Sequence, residues 1–432
     1  MHRRIFQLIA CASLVFPAVL AQADDWPQWR GPERDGVWRE TRVRADLEEP
    51  LEYRWRVPVG AGYSGPTTAD VRVSVTDRLV EPEQVERIHC FDLDTGRSLW
   101  SRPYACAYVD IGYQAGPRAA VSVVDGRAFA LGSMGHLHCL DAGTGVVLWK
   151  RDLNEQYKIR MPIWGISASP LTAEGLVIVH IGGEKACIVA FDQKNGDEVW
   201  TALTDRAQYA APILLNQAGK QVVVCWTGDS VAGLELKTGE VLWRHPFAPS
   251  RMPIGVATPV YNNGNLFMTS FYDGSLMLRL NSNEASVEKV WEARGEDERH
   301  TEAIHSIIST PIYLGDHVYG VDSYGELRCL EAKTGRRVWE DQTATPKARW
   351  STIHFVLHEP TGNVWMLNER GELLITRLSP KGIEEIGRQP LLEPTTEQLR
   401  QRGGVCWSHP AFADRCVFAR NDKELVCAEL KD

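Results

Sequence analysis

The segment AFDQKNGDEVW, from Ala190 to Trp200, sets the pattern for most of this 432-residue chain. Similar segments are CFDLDTGRSLW from Cys90, CLDAGTGVVLW from Cys139, GLELKTGEVLW from Gly233 and CLEAKTGRRVW from Cys329, and a sixth copy is stretched by two residues. The copies end 43 to 51 residues apart, at Trp100, Trp149, Trp200, Trp243, Trp291 and Trp339. A period of this length indicates a repeat architecture in which each copy is one supersecondary unit.

Each repeat predicts four short strands. Period-two alternation of apolar and polar residues between glycine turns is typical of antiparallel hairpins. We expect positive φ at the glycines of the motif turn, which are Gly96, Gly145, Gly196, Gly239 and Gly335. The terminal tryptophan would then fill the space between successive units. The repeat therefore predicts an all-β fold, a β-propeller of four-stranded antiparallel blades.

The number of blades follows from the first strands of the repeats. Eight can be counted, the last beginning near Trp407, and the eighth repeat lacks its tryptophan strand. Residues 51–57 resemble that missing strand and carry Trp55. We therefore predict an eight-bladed propeller over residues 51–432 whose N-terminal strand closes the last blade. Trp38 precedes the repeats, so we expect its removal to destabilise the protein far less than removal of a repeat tryptophan.

The start of the chain has the pattern of a secretory signal peptide. Arg3 and Arg4 precede an apolar run over residues 5–20, and Ala21-Gln22-Ala23 offers the small-x-small cleavage pattern. The sequence predicts a signal peptide at 1–23, an N-terminal segment at 24–50, export to the periplasm or the outside, and no transmembrane segment after cleavage. An uncleaved anchor, or lipid modification at Cys11, is the alternative. The net charge of −9 argues against a nucleic-acid partner.

The repeat motif carries a family resemblance. The run A-x-D-x-x-T-G-x-x-x-W resembles the tryptophan-docking repeat of pyrroloquinoline quinone (PQQ) dehydrogenases and of the outer-membrane assembly propeller BamB. Residues 24–36 are similar to the mature start of exported PQQ-like repeat proteins. The resemblance implies a propeller and makes PQQ and calcium possible cofactors. The adjacent cysteine pair of the quinoproteins and the lipidated cysteine of the assembly factors have no counterpart in this sequence.

The cysteines indicate core positions rather than a metal site. Nine follow the predicted signal peptide, and an odd number in an exported protein leaves at least one free thiol. Four occupy the same position in different repeats, which would place them in different blades. Cys406 and Cys416 are the one pair that we consider for a disulfide. No C-x-x-C spacing occurs, which argues against structural zinc, and we predict no metal site.

The loops before the first strands hold the candidate ligand site. Arg160-Met-Pro-Ile recurs as Arg251-Met-Pro-Ile, and in a propeller such loops line one mouth of the central channel. Arginine and aromatic side chains there predict a site for an anion or a planar acidic ligand. The candidate residues are Arg160, Trp164, Arg206, Arg251, His305, Arg349, Trp350, Arg402, Trp407 and His409, with Tyr209 nearby. The alternative is that each arginine pairs with a carboxylate of a neighbouring blade and each tryptophan serves packing.

No nucleophile or catalytic motif stands out in the sequence. We therefore predict an exported PQQ-like propeller that acts as a ligand-binding or protein-interaction module without catalysis. Its partner would be a small anionic ligand or an envelope protein. The alternatives are a quinoprotein oxidoreductase that uses PQQ and calcium, and a BamB-like outer-membrane assembly scaffold that binds peptides by strand addition.

Overall fold

The computed structural model describes residues 25–432, so the predicted signal peptide and the predicted first mature residue lie outside the described part. Over this range the chain forms eight four-stranded antiparallel blades. The helical content of the same range is one turn of α-helix and one 3-10 turn. The prediction of an all-β, eight-bladed propeller is confirmed.

The strands follow one another in the order that the repeats predict. Strands β1 and β2 precede the first blade, and the helical turn α1 (Leu153–Tyr157) follows the second, while a 3-10 turn at Gln401–Gly403 precedes the eighth. The strands are β1 Val37–Trp38 and β2 Tyr53–Pro58; blade one, β3 Thr67–Ala69, β4 Arg72–Leu79, β5 Val85–Asp92 and β6 Ser98–Ala105; blade two, β7 Ser122–Val124, β8 Arg127–Leu131, β9 His136–Asp141 and β10 Val147–Asp152; blade three, β11 Leu171–Ala173, β12 Leu176–His180, β13 Ile188–Asp192 and β14 Glu198–Ala202; blade four, β15 Ile213–Gln217, β16 Lys220–Trp226, β17 Ser230–Glu235 and β18 Val241–Pro246; blade five, β19 Val260–Asn262, β20 Asn265–Ser270, β21 Gly274–Leu280 and β22 Val287–Ala293; blade six, β23 Ile312–Leu314, β24 His317–Val321, β25 Leu327–Glu331 and β26 Arg337–Asp341; blade seven, β27 Ile353–His358, β28 Asn363–Asn368, β29 Glu372–Ser379 and β30 Gly382–Pro390; and blade eight, β31 Ala411–Ala413, β32 Cys416–Arg420 and β33 Glu424–Glu429, completed by β2.

The motif turn explains the repeated Asp and Gly. The Asp192 side chain accepts hydrogen bonds from the backbone N–H groups of Lys194 (2.7 Å) and Asn195 (3.2 Å), which orders the turn. Gly196 then takes a φ of +72°, and a Cβ at this position would lie 2.6 Å from the indole of Trp149 in the preceding blade. Glycine is therefore required twice, for its backbone conformation and for the close approach of the neighbouring ring.

The repeat tryptophans join successive blades. Trp200 lies on the turn glycine of blade four, Gly239, and donates its indole N–H to the Leu236 carbonyl of that blade at 2.9 Å. The same donation to the next blade is made by Trp55, Trp100, Trp149, Trp291 and Trp339. Trp243 differs because the motif turn of blade five is stretched. Its indole donates to the Gln217 side chain, whose amide bonds to the Ser286 carbonyl in blade five.

The ring is closed by the N-terminal strand, as predicted. Strand β2 pairs antiparallel with β33, and Trp55 lies opposite Cys427. The buried Arg420 of blade eight adds a second link, because its guanidinium donates to the carbonyls of Gly60 and Thr76. The last blade therefore consists of three C-terminal strands and one strand that comes from before blade one.

Residues 25–38, which we call the N-terminal plug, lie inside the central channel. Trp26 forms a β-bridge with Thr68 in blade one, and the Pro27 carbonyl accepts a hydrogen bond from the Val123 N–H in blade two. Strand β1 pairs in parallel with β27 of blade seven. The plug thus contacts the inner strands of blades one, two and seven.

The plug shows that the expectation for Trp38 was wrong. Its side chain is only 1% exposed and packs against Trp365 and Phe412, while its indole N–H donates to Glu40. Trp38 lies outside the repeat, so its burial depends on tertiary contacts that the repeat pattern could not predict.

The cysteines are buried free thiols. The nine that lie between residues 25 and 432 form no disulfide with one another. Cys406, which we considered as a partner of Cys416, instead contacts the Glu393 carbonyl at 3.6 Å, and Cys416 lies in strand β32. Burial raises the pKa of the Cys225 and Cys406 thiols, as expected for residues that act as small apolar core groups.

Candidate functional site

A cavity of about 120 Å³ lies at the mouth of the channel, among the loops that join the outer strand of one blade to the inner strand of the next. We call it the aromatic cup. Trp29 of the plug also lines the cup, and its indole N–H is fixed on the Thr258 hydroxyl at 2.8 Å. The aromatic residues from the blade-joining loops are Tyr63, Tyr113, Trp164, Tyr209, Trp350 and Trp407.

The rings of the cup contact one another and form a continuous wall. Tyr113 meets Trp164 and Trp350 edge-on, with centroids 5.8 and 5.9 Å apart. The Trp164 ring stacks on the Tyr209 ring with centroids 5.0 Å apart, and the Tyr209 hydroxyl accepts a hydrogen bond from the backbone N–H of Trp164. Aromatic pairs in these geometries stabilise each other beyond their burial. The wall is therefore ordered by its own contacts before any ligand enters.

Arg118 is the one guanidinium among the residues that line the cup. It donates to the backbone carbonyls of Gly112, Tyr113 and Gly116 and to the Ser133 hydroxyl, and it lies over the Tyr63 ring at 4.9 Å. Its donors are thus used to hold the blade-joining loop. The described lining residues include no Asp or Glu.

Two buried histidines, His354 and His409, also line the cup. Nε2 of His354 lies 2.8 Å from the Trp407 carbonyl and Nδ1 of His409 lies beside the Pro410 carbonyl, so these nitrogens are the ones that carry a proton. Burial lowers the pKa of His354 to about 4 and the pKa of His409 well below its ordinary value. Both rings are therefore neutral at pH 7.

Two polar atoms of the cup are buried without a hydrogen-bond partner in the described part of the chain. One is Nε2 of His409, which is a lone-pair acceptor because Nδ1 holds the proton. The other is the indole N–H of Trp350, which is a donor. Buried polar groups are normally paired, and these two atoms are exceptions among the residues that line the cup.

Buried positive charge lies behind the cup, in the plug. Arg34 donates to the carbonyls of Ser169 and Pro170, and Arg30 donates to the Asp35 carbonyl. Across residues 25–432 neither guanidinium forms an ion pair within 4.0 Å. Burial lowers the pKa of Arg30 to about 10 and that of Arg34 to about 9, which leaves both charged at neutral pH.

Three of the sequence-predicted arginines are paired with carboxylates around the mouth. Arg349 holds Glu298 through two hydrogen bonds of 2.7 and 2.8 Å. Arg402 holds the buried Glu369 at 2.7 Å, and Arg206 holds Asp229 at 2.7 Å. This is the arrangement that we set against the ligand site as its alternative.

The other predicted residues are divided between the cup, the rim and the interior. Trp164, Trp350, Trp407 and His409 are brought together in the cup. Arg160 is exposed and donates to the Thr204 carbonyl, and Arg251 lies over the Tyr272 ring. His305 is buried away from the cup, where it contacts the Phe271 carbonyl and accepts from the Gly295 N–H.

Sequence reasoning missed Trp29, Tyr63, Tyr113 and Arg118 as lining residues. Tyr63 lies four residues before the first strand of blade one, as Tyr209 does before that of blade four, so comparison of equivalent loop positions would have found it. Trp29 lies outside the repeat and gave no such signal.

Exposed apolar side chains stand on the blade-joining loops around the cup. Val109, Ile163 and Met252 are 58%, 47% and 42% exposed, and we call them the apolar rim. Ile163 directly precedes the cup residue Trp164. Each of the three belongs to a loop that also supplies a residue of the cup, so a partner bound at the cup would contact it.

The comparisons with known proteins agree with this architecture. A family model described as outer membrane protein assembly factor BamB matches residues 84–340 and 291–432. The chain belongs to this BamB family of PQQ-like propellers. The outer membrane protein assembly factor BamB of Shewanella oneidensis is 25% identical over 164 residues, which are 37% of this chain and 40% of that protein. The chain thus matches less than half the length of this curated relative.

Solved structures share the fold across most of the chain. BamB from Moraxella catarrhalis has a TM-score of 0.58 at 16% identity and covers 88% of this chain and 98% of its own. The quinohemoprotein alcohol dehydrogenase ADHIIG from Pseudomonas putida has a TM-score of 0.62 at 11% identity and covers 94% and 80%. Membership of the BamB family supports a protein-interaction module. The likeness to the dehydrogenase, at 11% identity, concerns the fold alone.

Between residues 25 and 432, no helix has the length and apolar character needed to cross a membrane.

Proposed function

We propose that this protein is an exported recognition module that binds an envelope protein through the mouth of its channel, with the aromatic cup as the anchor pocket. The observation that carries the proposal is the preformed aromatic cavity surrounded by the exposed apolar rim. The names of its BamB relatives, which are assembly factors of outer-membrane proteins, agree with a partner in the cell envelope.

The chemistry of the mouth favours a protein surface over a free anion. Arg206, Arg349 and Arg402 are already neutralised by carboxylates. A buried apolar pocket with a polar, charge-paired surround is the usual anatomy of a protein-binding hot spot. An anchor side chain from the partner would displace poorly bonded water from the aromatic wall and gain the hydrophobic free energy of burial.

Export is part of the proposal. The basic start, the apolar run and the Ala-x-Ala pattern support cleavage before Asp24 and release into the periplasm. Intact-mass measurement of the protein recovered from its native envelope should give a chain that starts at Asp24. A chain that retains Met1, or one acylated at Cys11, would contradict the cleavage.

The quinoprotein alternative asks for groups that the cup does not offer. PQQ carries three carboxylates, and calcium needs several oxygen ligands, commonly carboxylates. Among the described residues the cup is lined by no carboxylate, the donors of Arg118 are used by its own loop, and no three His, Cys, Asp or Glu residues are grouped closely enough to hold a metal ion. The residues of the cup do not fit PQQ with calcium, so we derive no redox chemistry for it.

Site-specific photo-crosslinking in the native envelope tests the proposed interface. A photoreactive phenylalanine analogue is placed at Ile163 or Met252 on the apolar rim, and a matched control is placed at Val199, which is 47% exposed on the outer edge of blade three. We expect the same envelope protein to be crosslinked from both rim positions, not from Val199, and to be lost when Trp164→Ala is added.

Two results would contradict the proposed interface. One is an equal yield of the same product from Val199. The other is crosslinking from the rim that is unchanged by Trp164→Ala in a variant whose melting temperature shows that it is folded. A planar acidic ligand in the cup would instead block crosslinking when added in excess.

A further inference from the structure

We propose that the protein carries a second binding site, a groove between blades four and five that takes a neutral saccharide. The groove, which we call the polar groove, has a volume of about 780 Å³, a size that is usual for small-molecule sites. Its exposed polar side chains are Asn216, Tyr261, Asn263, Arg279, Glu284 and Glu288.

The polar groove lies at the opposite end of the blades from the aromatic cup. It is lined by the turns between the first and second strands of blades four and five and by the motif turn of blade five, which joins the third and fourth strands. The cup is lined by loops that join one blade to the next. Since the four strands of a blade are antiparallel, these two sets of connections emerge at opposite ends.

The stretched motif turn of blade five forms one wall of the groove. In the regular blades a turn glycine lies on the tryptophan of the preceding blade, whereas Trp243 is linked to this turn only through Gln217. The buried Gln217 amide donates to the carbonyls of Asn281 (3.2 Å) and Ser286 (2.6 Å). The turn is thus fixed to blade four, so the wall is ordered without a ligand.

Arg279 and Glu288 offer hydrogen-bonding groups to the groove. They are opposite each other on the strands that flank the stretched turn, and the same register positions of blade seven hold Arg377 and Glu384. Arg377 and Glu384 form an ion pair at 2.9 Å. Among the described residues, Arg279 and Glu288 form neither an ion pair nor a hydrogen bond, although both are exposed. A donor and an acceptor are therefore available to a ligand.

The remaining polar lining combines donors with acceptors. Asn216 and Asn263 each present an amide, which supplies both, and neither side chain forms a hydrogen bond in the described part of the chain. Glu284 adds a second carboxylate, which accepts from the Ser286 hydroxyl at 2.9 Å. Sugar hydroxyls both donate and accept, so a saccharide matches such a lining. A strongly charged ligand would meet charge of its own sign on one wall.

Tyr261 supplies an apolar face in this polar surround. Its side chain is 41% exposed, and among the described lining residues it is the only large apolar side chain with that exposure. The C–H face of a sugar ring can pack on such an aromatic ring while the hydroxyls at its edge reach the polar walls. A peptide is the main competitor. It is disfavoured because apolar anchor pockets dominate the binding of protein segments, and the groove offers one exposed ring.

Saturation-transfer NMR on the full mature protein measures the binding of weak ligands. The probes are three neutral trisaccharides, cellotriose, maltotriose and tri-N-acetylchitotriose, with trigalacturonate as an anion and trialanine as a peptide. We expect at least one neutral trisaccharide to bind at millimolar concentration, and to bind more tightly than trigalacturonate and trialanine.

Variants assign that binding to the groove. Tyr261→Ala removes the aromatic face and should weaken the binding of the trisaccharide about fivefold, whereas Tyr261→Phe keeps the ring and should bind nearly as well. Arg279→Ala removes a charged donor and should weaken binding about tenfold. The matched control is Arg377→Ala, which removes the equivalent arginine of blade seven and should leave binding unchanged. Melting curves from circular dichroism establish that each variant is folded.

Three results would overturn the inference. The first is that none of the three neutral trisaccharides binds. The second is tightest binding of trigalacturonate, which would indicate an anion site, or of trialanine, which would indicate a peptide groove. The third is saccharide binding that is unchanged in both Tyr261→Ala and Arg279→Ala, which would place the ligand elsewhere. Crosslinking from Ile163 and Met252 reports on the other end of the blades, so failure of the proposed function is detected separately.

Discussion

Replacement of Trp200 by alanine tests how the blades are held together. The side chain is buried, lies on Gly239 of the next blade and donates to the Leu236 carbonyl at 2.9 Å. Removing a large aromatic side chain from a packed core costs about 3 to 5 kcal/mol. The Leu236 carbonyl would also lose a partner, a loss worth about 1 kcal/mol. Since part of that loss is already included in measured core truncations, we expect a total of about 4 kcal/mol.

Equilibrium unfolding in urea, followed by circular dichroism, measures this cost. Val199→Ala is the matched control, because Val199 is the preceding residue of the same strand and its side chain is 47% exposed. Its replacement should change the free energy of unfolding by less than about 0.5 kcal/mol. Trp200→Phe should fall between the two, since it keeps a ring on Gly239 and loses the hydrogen bond.

The reasoning would be refuted by a Trp200→Ala variant that is within 1 kcal/mol of Val199→Ala. Such a result would mean that the contact with Gly239 does not couple blades three and four. A large loss that is equal for Trp200→Phe and Trp200→Ala would instead assign the stabilisation to the hydrogen bond.

Three further predictions follow from charge and connectivity. Burial lowers the pKa of His138, His180 and His354 to about 4, so below the ordinary histidine pKa the unfolded chain binds more protons than the folded chain. The free energy of unfolding should therefore be constant above pH 6.5 and fall between pH 6.5 and 4 by up to about 4 kcal/mol per pH unit. A urea midpoint that stays the same from pH 7.5 to 5 would contradict this. Arg402→Ala leaves the buried Glu369 without its cation and should lower the free energy of unfolding by about 2 kcal/mol. The control Arg160→Ala removes an exposed side chain that donates to a carbonyl and should lower it by less than about 0.5 kcal/mol. Equal shifts in melting temperature for the two variants would show that the ion pair does not stabilise the fold. A chain starting at residue 39 loses the buried Trp26 and Trp38 but keeps strand β2, so it should melt at a lower temperature than the mature chain and stay monomeric. A chain starting at residue 58 also loses β2, leaves β33 unpaired and should aggregate on size-exclusion chromatography; equal behaviour of the two truncations would argue against a separate role for the closing strand.

The propeller could be predicted because each repeated residue of the motif makes the same local contact in its own blade. Asp192 orders its own turn, Gly196 takes the positive φ of that turn, and Trp200 reaches the next copy of the same glycine. These requirements recur in every regular blade, so they leave a period in the sequence. The one departure from this pattern also has a cause in the sequence. The motif turn of blade five is stretched by two residues, and Trp243, which faces that turn, bonds to a glutamine side chain instead of a backbone carbonyl.

The site could be predicted only in part, because its residues obey no period. Equivalent loop positions pointed to Trp164, Trp350 and Trp407, and the structure brings these together in the cup. The partners of Arg349 and Arg402 were not predictable, since Glu298 and Glu369 come from other loops at irregular distances along the chain. Whether a loop arginine faces a ligand or a carboxylate is decided by tertiary geometry.

The N-terminal segment contributes both to the closure of the ring and to the lining of the aromatic cup. Eight similar blades alone would surround an open channel with nearly equivalent walls, and such a channel offers no particular place for one ligand. The plug removes that equivalence, because Trp29 lines the cup and Arg30 and Arg34 place buried positive charge behind it. A few residues later the same segment supplies β2, which closes the ring. Since the residues that leave the repeat both close the ring and shape the pocket, specificity in this propeller depends on the part of the chain that its periodicity does not describe.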